Sequence, residues 1–164
     1  IAATHINGMT IHSWSGIGIR NGLTDYDLDR ITQNERTVRR VGRAKVLLID
    51  DEETLLKNIG DFLKVVGYSV FASSNSTDGL ELLRNHSPDL LLLDLHLKEG
   101  LTGMQVLRAA KMLKPDLKVI ILSGFGEEED TKKSCISLGA NAFLGKPTSL
   151  RSLSETIGNL LEEK

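Results

Sequence analysis

From residue 45 onward the sequence repeats one pattern five times: a short apolar run, a polar or acidic turn, then a longer segment with helical spacing. Alternating strand and helix has one ordinary packing solution, a parallel sheet with right-handed crossovers, so this repeat constrains the chain more than any other feature. Strands are predicted at 45–49, 68–73, 89–93, 118–122 and 142–145, and helices at 53–66, 76–86, 102–114, 127–138 and 149–162. The runs "LLLL" at 90–93 and "VIIL" at 119–122 are apolar at consecutive positions, which reads as strands covered on both faces. Gly67 and Gly139 stand where the first and fourth helices should stop, and Pro88 and Pro115 lie just past the second and third. The predicted class is therefore α/β, a five-stranded parallel sheet of (βα)5 type with an N-terminal appendage.

The appendage is visible as a change of composition near residue 44. Residues 1–43 contain six basic residues, all Arg, against four acidic ones, whereas residues 45–164 contain eleven Lys, three Arg and eighteen acidic residues. The chain is accordingly divided into residues 1–43 and residues 44–164. The first 22 residues are glycine-rich without a period of 2 or 3.6 and read as loop, with a helix expected at 26–40. The lack of an initial Met reads as a processed chain or a fragment. Across all 164 residues the apolar share of 40% and charged share of 26% are those of a globular protein with a core. No apolar run approaches the roughly 18 residues needed to cross a bilayer, and no signal peptide is visible. One cysteine, Cys135, permits no internal disulfide and fits a reducing compartment, so a cytoplasmic location is expected. A net charge of −2 gives no reason to expect nucleic acid as a partner.

Chemistry is expected where the strands end, because open parallel sheets bind ligands at their carboxyl edge. The first strand, in "KVLLIDDEE", ends in Asp50 and Asp51; the third ends in Asp94, the fourth in Ser123, and the fifth in Gly145 followed by Lys146. Three converging carboxylates repel one another, and a hard divalent cation with oxygen ligands relieves the repulsion. Mg²⁺ suits such a site, since it takes one or two carboxylates, several waters and a phosphate oxygen. A third carboxylate is then left to act on phosphorus, with a lysine and a hydroxyl to hold the phosphoryl oxygens. Each residue alone has a plainer reading: an Asp at a strand end forms turns or caps a helix, Ser123 is a cap, Lys146 a surface charge. Their coincidence at four strand ends favours the phosphoryl site. Glu52 and Glu53 are read as first-turn residues of the first helix. His5, His12 and His86 are read as loop residues, since scattered histidines and one cysteine do not make a zinc site.

The motifs "LLIDDEE", "LLLDLHL", "ILSG" and "FLGKP" together resemble the receiver domain of two-component response regulators, similar to the chemotaxis protein CheY. The resemblance covers residues 45–164 and implies a flavodoxin-like sheet in the order 2-1-3-4-5. It further implies that Asp50 and Asp51 hold Mg²⁺ with Asp94 and the backbone carbonyl of His96, and that Asp94 accepts phosphate from a histidine kinase or phosphotransfer protein. By the same likeness Ser123 and Lys146 bind the phosphoryl oxygens, Phe143 is the switch aromatic, and the Lys146–Pro147 peptide is cis. The implied role is a signalling phosphoacceptor without ATPase activity, acting on a downstream protein through surface changes. One departure stands out. After the acceptor the family often has a proline-containing loop ending in Asp-Gly, whereas "DLHLKEGLTG" has no proline, ends in Thr102-Gly103 and is one residue longer.

A second reading comes from the first 43 residues, where "IAATHINGMTIHSWSGIGI" resembles a segment of RecD-related superfamily 1 DNA helicases, and "KVLLIDDEE" then resembles a Walker B strand. That makes the alternative a fragment of a nucleic-acid-dependent ATPase. Against it, no G-x-x-x-x-G-K-[ST] occurs, and "GKPT" at 145–148 has proline where the hydroxyl should stand.

Overall fold

The structure, a computed structural model, describes residues 44–124 and 129–162, together with the backbone of two two-residue strands, His5–Ile6 and Met9–Thr10, paired antiparallel. The predicted helix at 26–40 and His12 lie outside the described residues. Five strands form the sheet: β1 (Lys45–Ile49), β2 (Ser69–Ser73), β3 (Leu90–Asp94), β4 (Lys118–Ser123) and β5 (Ala142–Gly145). Five helices follow them in turn: α1 (Glu53–Val66), α2 (Ser76–His86), α3 (Gly103–Leu113), α4 (Glu129–Ser137) and α5 (Leu150–Glu162). All strand pairs are parallel and the order is β2-β1-β3-β4-β5, so the order reverses between β1 and β3.

The apolar runs behave as two-faced strands. Val46 and Leu48 of β1, Leu90 and Leu92 of β3, and Ile120 and Leu122 of β4 pack under α1 and α5 through Ile59, Phe62, Leu63, Leu153 and Ile157. The intervening residues Leu47, Ile49, Leu91, Leu93, Val119 and Ile121 point the other way, onto Leu80 and Leu83 of α2, Val106, Leu107 and Ala110 of α3, and Cys135 of α4. Burying each of the Val, Leu, Ile and Phe side chains among these contributes roughly 1.5–3 kcal/mol. Two cores of this kind, one on each face, hold the carboxyl ends of the strands in fixed register.

Element ends differ from expectation by a residue or two, for local reasons. Tyr68 is not in β2 because its N–H bonds back to Leu63 O at 3.0 Å, completing the turn that closes α1 on Gly67, whose φ is 111°. Thr102 and Lys114 flank α3 instead of starting and ending it: Thr102 is its N-cap and forms a capping box with Gln105. His86, expected in a loop, is the last residue of α2, and its ring stacks on Phe71 of β2 with centroids 4.1 Å apart.

Candidate functional site

The register of the sheet dictates which polar groups meet. Ile49 pairs with Leu93, so the residues that follow them, Asp50 and Asp94, emerge side by side at the carboxyl edge. Asp94 pairs with Leu122, and Ser123 pairs with Gly145, which brings the β4 hydroxyl and Lys146 to the same edge. Asp50, Asp94 and Ser123 are buried, and Asp51 and Lys146 half-buried. One carboxylate oxygen from each of Asp50, Asp51 and Asp94 lies within 4.8 Å of the others.

Each group is aimed by its neighbours. Asp50 Oδ1 accepts a hydrogen bond from Glu52 N at 2.9 Å, closing the turn into α1, whose N-cap Glu52 makes no side-chain cap of its own. Asp94 Oδ1 accepts from His96 N at 3.1 Å. Lys146 reaches back over the edge, its Nζ 2.6 Å from Asp50 Oδ2 and 2.9 Å from Asp94 Oδ2, while its N–H bonds to Ser123 O at 2.6 Å. The Lys146–Pro147 peptide is cis. Lys98, from the loop after β3, lies 2.7 Å from Asp51 Oδ2.

Charge is unevenly shared in this cluster. Burial pushes the Asp50 carboxyl above the ordinary carboxylate value, against the pull of Lys146 and the Glu52 N–H. Burial works to lower Lys146, but hydrogen bonding and charge from Asp50 and Asp94 outweigh it and hold the ammonium above its usual value. The lysine between the two carboxylates stays charged. Asp50 Oδ2 and Asp51 Oδ2, both buried, face the Lys146 and Lys98 ammonium groups. Hard oxygen donors grouped in this way fit Mg²⁺.

The sequence-predicted residues Asp50, Asp51, Asp94, Ser123 and Lys146 are therefore brought together. Phe143 is half-buried on β5 and packs with the second core, two residues before the edge. His96 is exposed as a side chain. The loop after β4 lies partly outside the described residues, at 125–128. Two participants were not legible in the sequence. Lys98 carries no signal there. Ser76, at the start of α2, is fully buried and its Oγ accepts from Leu101 N at 2.8 Å, tying the β3–α3 loop down.

Comparison with known proteins places this arrangement. Residues 46–158 match the family described as the response regulator receiver domain. The transcriptional regulatory protein GlrR of Escherichia coli is 34% identical over 120 residues, 73% of this chain and 27% of that protein. The polar-differentiation response regulator DivK of Brucella anthropi is 32% identical over 124 residues, covering 71% of this chain and 94% of DivK. Among solved structures, a CheY-like receiver domain protein from Methanospirillum hungatei superposes with a TM-score of 0.70 at 28% identity, covering 73% of this chain and 94% of that one. The chain thus spans about a quarter of the length of GlrR and nearly all of DivK. The match begins at residue 46, and the helicase likeness of residues 1–43 is not borne out.

Proposed function

Because this chain belongs to the response regulator receiver domain family, we propose that Asp94 is its phosphoacceptor and that Asp50, Asp51 and Asp94, with the His96 carbonyl, hold the Mg²⁺ that phosphorylation requires. The observation that carries the reading is the convergence of three carboxylates within 4.8 Å at the reversal point of the sheet, two of them, Asp50 and Asp94, bridged by the Lys146 ammonium.

Mg²⁺, when bound, offsets the carboxylate charge and that of the incoming phosphoryl oxygens. The chain's own residues do the rest. His96 N–H holds the Asp94 carboxylate in position, and one of its oxygens attacks phosphorus. The bond from phosphorus to the donor breaks, the donor keeps the electron pair, and an acyl phosphate forms on Asp94. Lys146 already touches Asp94 Oδ2 and needs only a short move to meet a phosphoryl oxygen, while Ser123, at the end of β4, offers its hydroxyl to another. Moving Lys146 away from Asp50, and the Ser123 hydroxyl inward, alters the β4 and β5 ends next to Phe143, which is how phosphorylation would reach a partner-binding surface. A histidine kinase or phosphotransfer protein supplies the phosphoryl group, and a downstream protein reads the surface. Such an acceptor has no use for ATP hydrolysis. Among the described residues no helix is long and apolar enough to cross a membrane, and we place the domain in the cytoplasm.

Incubation with acetyl phosphate and Mg²⁺ followed by intact mass should show one added phosphoryl group. Equal labelling in excess chelator would refute the metal requirement.

A further inference from the structure

The β3–α3 loop, which leads from Asp94 into α3, is fixed at both ends. At its start the His96 N–H bonds to Asp94 Oδ1 at 3.1 Å. At its end Leu101 N bonds to Ser76 Oγ at 2.8 Å, Ser76 Oγ points back to Glu99 O at 3.5 Å, and Gly103 N bonds to Leu95 O at 3.2 Å. Ser76 is fully buried and the capping box of Thr102 and Gln105 locks the following turn. Lys98 stands between these anchors. Its side chain is 80% exposed, yet its ammonium sits 2.7 Å from Asp51 Oδ2, an oxygen that is itself buried. A free surface lysine has no reason to hold that place, and a lysine on a loop pinned on both sides does.

We propose that Lys98 is a tethered counter-ion that occupies the Asp51 end of the acidic cluster and must be displaced before a divalent cation can bind there. An ammonium and a divalent cation at the same carboxylate repel one another, so the apparent metal affinity is the intrinsic one scaled by the fraction of molecules in which Lys98 has let go. The device sets a Mg²⁺ threshold for phosphorylation, and it resides in the lengthened loop, not in the cluster itself. This inference rests on the reading of Asp51 as a metal ligand.

The test is a Mg²⁺ titration followed by the backbone amide NMR signals of residues 94–98. An exposed ion pair of this kind shifts an equilibrium by a small factor, so Lys98→Ala should bind Mg²⁺ about two- to fivefold more tightly than the unmodified protein. Lys98→Arg should return the affinity toward the original, and Lys64→Ala, which removes the same charge from the far part of α1, should leave it unchanged. Equal affinity in the Lys98→Ala and unmodified proteins would overturn the competition while leaving the metal site standing, as would an equal gain in Lys64→Ala. No response to Mg²⁺ in either protein would overturn the metal reading and this inference with it.

Discussion

Gly103 shows how closely the site depends on single residues. A Cβ at this position would run into the Asp94 carbonyl oxygen and lie 2.5 Å from Leu95 Cα, so α3 can dock under the acceptor only because position 103 has no side chain. Gly103→Ala should destabilise the domain by about 1–3 kcal/mol, as overpacking does, read as a lower midpoint in urea. Gly158, inside α5, is the opposite case, since a Cβ there would meet nothing within 4 Å. Gly158→Ala should stabilise by about 0.5–1 kcal/mol in the same assay. At Lys146 the outcome depends on the metal. Removing its ammonium leaves Asp50 and Asp94 facing each other, so Lys146→Ala should lose about 1–3 kcal/mol in chelator and recover more on Mg²⁺ addition than the unmodified protein does. Equal recovery in both would argue against a shared cation position. Asp50, Asp51, Asp94, Ser123 and Lys146 were all legible in the sequence because each falls at the end of an apolar run, where the topology fixes its place. Lys98 and Ser76 were not, because their partners, Asp51 and Leu101, are distant in sequence and joined only by the folded loop.

Among the elements, the strands were the most legible, since burial on both faces leaves uninterrupted Val, Ile and Leu. The turns were less so. Ser87, with φ of 47°, takes the left-handed position that ends α2 where glycine is the usual signal, and Pro88 was the only sequence cue nearby. The junction of α1 and β2 carries a measurable consequence. Tyr68 is buried there in the first core, and burial, aided by the charge of Glu162 on α5, pushes its phenol from the ordinary 10.0 up to about 12. A raised value in the folded state means the contribution is fully present below pH 10 and is lost as pH climbs toward 12, because the unfolded chain ionises first. Stability should therefore fall by up to about 1.4 kcal/mol per pH unit from this group over that window. In Tyr68→Phe that part of the alkaline slope should vanish, measured by denaturant unfolding between pH 9 and pH 12 against the unmodified protein. An unchanged slope would show that the phenol is not the group responsible.

For the whole molecule, both cores are built, among the described residues, from Ala44 onward. A chain starting at Ala44 should accordingly stay folded, monomeric and able to accept phosphate, with cooperative unfolding by circular dichroism; loss of the transition would mean that residues 1–43 supply core. Neither length should hydrolyse ATP, with or without single-stranded DNA. The central claim is that the sheet gathers its carboxylates so that one of them, Asp94, carries the phosphoryl group. An acyl phosphate is reduced by borohydride to an alcohol, which turns the phosphorylated aspartate into homoserine and marks it for peptide mass spectrometry. After treatment with acetyl phosphate and Mg²⁺, homoserine should be found at position 94 and nowhere else, and Asp94→Asn should give none. Homoserine at Asp50 or Asp51 in the unmodified protein, or labelling that persists in Asp94→Asn, would contradict the account.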